Sequence, residues 1–143
     1  MTATFQDYVA EQDARNTIQL NVTKWTLMLC DALKQNYIDY SIRNHQRSID
    51  LNESVEYHYS RINELKNGKC DYDFYIEQGR RYHKIIMNDG TQRGVHAFVD
   101  KKTGEIYKSA SWKSPAKGVR YDLRLIKDRE WLYENASWSG GYL

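Results

Sequence analysis

The residues best equipped for chemistry fall in one run, KSASWKSPAKGVRYDLR, residues 108–124. Lys108, Lys113, Lys117, Arg120 and Arg124 alternate there with the rings of Trp112 and Tyr121 and with small residues such as Ser109, Ala110, Ser111, Ala116 and Gly118. Small residues let backbone amides approach a ligand, and nearby hydroxyls donate to phosphate oxygens. Arg120 and Arg124 can each grip a phosphate with two parallel hydrogen bonds, which lysine cannot do. A base can stack on Phe98, Trp112 or Tyr121, a contact worth about 1–3 kcal/mol per base. Pro115 stiffens the run. The chemistry on offer is the holding of an anion that carries flat rings. The competing reading is a structural loop whose Trp112 plugs the core.

Catalytic patterns are absent or weak. The chain carries no GxxxxGK[ST], GxGxxG or HExxH arrangement. His45, His58, His83 and His96 have no metal-like spacing with Cys30 or Cys70, so no metal and no cofactor is expected. Ser114 and Lys117 match an SxxK pattern that is frequent by chance and stands here without its companion motifs. Asp71 and Asp73 share one face of a strand, with nothing beside them that calls for acid–base work. The expectation is a binding protein and not an enzyme.

Charge is unevenly spread. The net charge of +2 hides a first half, residues 1–70, with eight Lys/Arg against nine Asp/Glu, and a segment, residues 80–127, with twelve against four. Such concentration is the electrostatic footprint of a phosphate-bearing partner. A solvated face balanced by acids from the first half is the plainer alternative. Nineteen aromatic residues among 143, twelve of them tyrosine, supply large rings to bury and argue against disorder. No apolar run approaches the roughly 20 residues of a membrane span. The polar first residues read as neither a secretory signal nor a transit peptide. Two cysteines outside any CxxC pattern read as reduced thiols, which suits a cytoplasmic protein.

The elements that must position these groups divide at Gly68. All eight glycines and the one proline lie at or beyond it, so residues 1–67 read as helical. Thr4 followed by Asp7 is a helix cap, and a first helix runs to about Arg15. Asn16 and Thr17 either start a second helix or sit inside one long one. Ile18, Val22, Trp25, Leu29, Leu33, Tyr37 and Tyr40 then lay an apolar seam, widened by Leu20, Leu27, Met28, Ile38 and Ile42. So broad a face suggests burial against both the rest of the chain and a second subunit. A third helix is expected over residues 52–65.

Beyond Gly68 the period changes to two. Strands are expected over residues 71–77, 80–88, 94–100 and 105–111, joined by glycine-containing turns as an antiparallel meander. In the third strand, alternation sends Val95, Ala97 and Val99 one way and His96 and Phe98 the other. A short helix over residues 125–135 and the tail ASWSGGYL follow. The fold class is α+β: long N-terminal helices packed on a C-terminal antiparallel sheet of about four strands, with a short C-terminal helix. One domain over 1–143 is expected, with a helical half 1–67 and a basic β-rich half 68–143.

The stretch VHAFVDKKTGEIYKSASWKSPAKGVRYDLR, with the closing SGGYL, resembles a widespread group of small bacteriophage proteins that share a HAFVD strand, a G-[DE]-[IV]-[YLF]-K strand and an A-S-W-K-x-P-A-K-G run. The resemblance covers about a third of the chain and implies a phage protein acting in the host cytoplasm. The layout of N-terminal helices and C-terminal sheet is also similar to the Thoeris anti-defence sponges, oligomers that sequester cyclic ADP-ribose-type signals without cleaving them. That likeness is one of architecture. It implies a homo-oligomer trapping a cyclic nucleotide, with Phe98 or Trp112 against the base and Arg120 and Arg124 on the phosphates. The alternative is an accessory protein that binds single-stranded nucleic acid on the same surface, or an inhibitor docking on a host protein. Geometry separates the first two: a trap needs an enclosed pocket, and a strand binder an open face.

Overall fold

In a computed structural model, which describes residues 4–143, the chain forms a helical hairpin packed on a sheet. Helix α1 spans Phe5–Asp50 without a break. Thr4 caps it reciprocally: its hydroxyl accepts from the Asp7 N–H, and the Asp7 carboxylate accepts from the Thr4 N–H, both at 3.1 Å. Asn16 and Thr17 do not interrupt the helix, because the Thr17 hydroxyl donates back to the Asp13 carbonyl at 2.9 Å instead of capping a new start. At about 1.5 Å per residue these 46 residues span roughly 69 Å.

The seam behaves as its spacing predicts. Val22, Leu29, Cys30 and Leu33 are buried, with Ile18 and Trp25 packed alongside. Thr26 is buried among them, its hydroxyl satisfied by the Val22 carbonyl at 2.7 Å. Cys30 and Cys70 are free thiols, and burial pushes the Cys30 thiol up to about 12, so it stays protonated. Helix α2 spans Val55–Lys66 and starts later than residue 52, because Asn52 and Ser54 take left-handed backbone (φ 59 and 45) to reverse the chain. It folds back along the end of α1, where His45 and His58 share a hydrogen bond between their Nδ1 atoms at 2.7 Å.

The sheet has five strands in sequential antiparallel order: β1 Asp73–Gln78, β2 Tyr82–Asn88, β3 Arg93–Asp100, β4 Glu105–Ser109 and β5 Pro115–Asp122. The fifth strand lies where the sequence reads as a loop. A proline, a glycine and small residues mask its period, and the strand itself is irregular. Gly118 has φ 100, and the β4–β5 register slips twice. Helix α3, Ile126–Asn135, lies against α1 and donates its Tyr133 hydroxyl to the Trp25 carbonyl.

One sheet face, with Phe74, Ile85, Ala97, Val99 and Ile106, packs on α1 and α3 through Leu29, Leu33 and Leu132 to form the main core. The alternation expected for β3 holds for Ala97, Val99 and Phe98, but Val95 joins Phe98 on the outer face and His96 turns to the helical side. Ala97 pairs with Ile85 and Val95 with Ile86, so His96 is an extra residue at a bulge. The bulge turns its ring toward the helical side, 5.4 Å from the Phe74 ring and at right angles to it. Phe98 stays on the outer face beside Lys84 and Tyr107.

Candidate nucleic-acid interface

The outer face is the one without helices, and register assigns its side chains. Tyr75 pairs with Ile86 and Ile86 with Val95; Lys84 pairs with Phe98 and Phe98 with Tyr107; Asn88 pairs with Arg93. The β4–β5 turn, closed by the Ala110 and Ser111 N–H groups on the Ser114 carbonyl, brings Trp112 back over this face. The Trp112 ring lies 5.4 Å from Lys84 Nζ and 5.3 Å from Arg93 Cζ. Arg93 also donates to the Tyr75 hydroxyl at 2.9 Å. Between Lys84 and Arg93 lies the Ile86–Val95 pair, and Ile86 is fully buried although no helix covers it.

The expected site residues divide into three groups. Trp112 is 38% exposed, and Lys113 beside it and Lys117 on β5 are exposed too. Trp112 belongs to the outer-face cluster with Lys113 next to it in the turn, while Lys117 falls in the slipped stretch of β5 that has no paired partner. Phe98 lies on the same face but is only 1% exposed, under the edge of Tyr82 at 5.6 Å and beside Lys84 Nζ at 5.9 Å, so it has no free surface for a base. Arg120 is the extra residue of a β5 bulge, exposed and without an ion pair among the described residues.

The remaining three sit elsewhere. Tyr121 faces the helical side, stacked on Trp131 with centroids 5.3 Å apart and donating its hydroxyl to the Tyr142 carbonyl at 2.7 Å. The open recess beside it holds Asp128, Glu130 and Glu134 against Lys127, the wrong sign for an anion. Arg124 follows β5 and lies over Gly104, where an added Cβ would meet its Cγ at 3.2 Å. Gly104 precedes β4 and Trp112 lies beyond its other end, so Arg124 and Trp112 sit at opposite ends of a five-residue strand about 17 Å long. Lys108 pairs with Ala97 and belongs to the helical side. The expected meeting of Phe98, Trp112, Arg120 and Arg124 in one recess is therefore not what the fold builds. Lys84 and Arg93 take the place of the arginines. The alternation of β2 carried a signal for Lys84, and a strand residue beside a glycine turn carried one for Arg93, but only pairing shows that both reach Trp112.

Lys108 borders a recess of about 370 Å³ under the C-terminal tail, shared with Tyr72, His96, Trp138 and Gly140. His96, one of its lining residues, has Nε2 2.7 Å from the Tyr142 hydroxyl. Burial holds the His96 imidazole down at about 4 and pushes the Tyr142 phenol well above its ordinary range. A histidine harder to protonate when folded makes stability highest above its ordinary value of 6.5, and stability then falls as pH drops from 6.5 toward 4. Desolvation also lowers His83 and His45, so all three act in the same direction. The loss from His96 alone is about 3 kcal/mol across that window. Urea unfolding at pH 7 and pH 4.5 checks this, and His96→Gln reduces the difference while His83 and His45 keep part of it.

Fold and site together define a small α+β protein with an aromatic and cationic open sheet face. The chain belongs to a family of unknown function, DUF7717, whose profile matches residues 5–143. No curated protein and no solved structure matches it. No helix among the described residues is long and apolar enough to cross a membrane, and no cluster of three or more His, Cys, Asp or Glu among them could hold a metal ion.

Proposed function

We propose that this protein binds single-stranded nucleic acid along the outer face of its sheet, without acting on it chemically. The carrying observation is Trp112, a ring 38% exposed on an open surface, with Lys84 Nζ and Arg93 Cζ each within 5.4 Å of its centre. A base stacks on the indole or on the guanidinium plane of Arg93, and Lys84, Lys113 and Lys117 meet the phosphates. Openness favours a strand over an enclosed cyclic nucleotide. The resemblance to bacteriophage proteins implies the host cytoplasm as the place of this activity. Fluorescence anisotropy with labelled oligothymidylate, at low and at physiological salt, tests it. Three phosphate contacts predict log K falling against log salt with a slope of about −2. Absence of binding at micromolar protein, or an affinity indifferent to salt, overturns the proposal.

The tail recess supports a second reading, the capture of a small cyclic nucleotide in the manner of the Thoeris sponges. It joins Lys108 to two rings, Tyr72 and Trp138, in a volume that suits a small ligand. Heating purified protein and analysing the supernatant by mass spectrometry separates the two. An intact cyclic nucleotide favours the recess, and oligonucleotide fragments favour the sheet face.

A further inference from the structure

One line of α1 is covered at its C-terminal end and bare at the other. Phe5, Val9, Asn16, Leu20, Leu27, Ile38 and His45 follow one another at steps of 4, 7, 4, 7, 11 and 7, each close to whole turns of an α-helix. At the far end α2 occupies this line in antiparallel sense. His45 meets His58, and seven residues further along each helix Ile38 comes opposite Leu65, both buried. From Phe5 to Leu27 none of the described residues covers it: Phe5 is 79%, Leu20 71% and Leu27 50% exposed, and Tyr8 and Met28 are exposed too.

We infer that this bare stretch of α1 pairs with the same stretch of a second copy, antiparallel, in a two-fold dimer. Charge selects the occupant and its direction. Asp13 and Lys24 each follow a residue of the line by four positions, Val9 and Leu20, so they flank it on the same side. The other flank carries Gln12, Gln19 and Thr23, without charge. In an antiparallel pair like flanks meet, and two-fold symmetry makes every contact twice. With Val9 opposite Leu27 of the second copy, and Leu20 opposite its Asn16, each Asp13 comes beside the other copy's Lys24. A parallel pair would set Asp13 against glutamine and gain no ion pair. The arrangement continues in trans, along the same line, the antiparallel packing that α2 makes in cis. It is independent of what the sheet face binds.

Sedimentation equilibrium of the whole chain tests it. The expected mass is twice 17.0 kDa. Leu20→Asp combined with Leu27→Asp lowers it to 17.0 kDa while the helical circular dichroism of the folded chain persists, since both side chains are exposed. Asp13→Lys raises the dimer dissociation constant at least about tenfold, a 1.4 kcal/mol effect, and adding Lys24→Asp restores it. In a Cys70→Ser background, Val9→Cys with Leu27→Cys oxidises to a covalent dimer and Val9→Cys alone does not. A chain that stays at 17.0 kDa at about 100 μM overturns the inference, as does a covalent dimer through Val9→Cys alone.

Discussion

Replacing Phe98 with alanine is expected to lower the unfolding free energy by about 3–5 kcal/mol, the usual cost of emptying a buried phenylalanine site. The ring is 1% exposed, yet it lies outside the main core, on the sheet face that carries no helix. Tyr82 meets its edge, Lys84 lays its stem alongside, and Tyr107 is its cross-strand neighbour. These polar-tipped side chains cover apolar surface with their carbon atoms while their heads stay wet. With a total stability in the ordinary range of about 5–15 kcal/mol, such a loss leaves a chain near its threshold. The midpoint of thermal unfolding should drop by roughly 10–15 °C. Phe98→Leu keeps most of the volume and should lose much less while leaving oligonucleotide affinity close to that of the parent. A Phe98→Ala chain that melts normally but no longer binds would make Phe98 a ligand contact and not a packing residue.

Trp112→Ala should act in the opposite way, weakening oligonucleotide binding by about tenfold or more with a small change in melting temperature. The ring is 38% exposed and contributes the flat surface on which a base stacks, about 1–3 kcal/mol per base. Its loss also frees Lys84 and Arg93 from the indole, cation–π contacts worth about 0.5–1 kcal/mol at an exposed site, so the fold is weakened only modestly. Trp112→Phe should recover part of the affinity. Anisotropy titrations of the three proteins at one salt concentration, with their melting curves, decide the matter. Parent-like affinity for Trp112→Ala would remove the sheet face as the binding surface.

The α+β class was legible from punctuation alone, because helix-period residues without glycine or proline precede alternating segments broken by glycine turns. Thr4 and Asp7 announced the first cap, and Val22, Leu29 and Leu33 announced the buried seam. Three things were not legible. The continuity of α1 through Asn16 and Thr17 depends on where a threonine hydroxyl turns, and both choices read alike in sequence. β5 hides behind Pro115 and Gly118, which mark loops more often than edge strands. The site suffered most. Arg120, Tyr121 and Arg124 are near Trp112 in sequence, but the β4–β5 slips and the end of the strand send them to a bulge, the helical side and the far turn. Lys84 and Arg93 are distant in sequence and adjacent in space, because pairing decides neighbours across a sheet and composition does not.

The irregularity of β5 has a consequence for solubility. A meander in sequential order leaves its last strand with one side unpaired, the kind of border on which sheets of different molecules join into fibrils. This border begins with a residue that has no N–H to offer, turns left-handed at Gly118, and carries surplus residues that break the even rhythm of donors and acceptors. A foreign strand finds no straight row to zip onto. The features that disguise β5 in the sequence are the ones that keep this rim of the molecule from seeding aggregates.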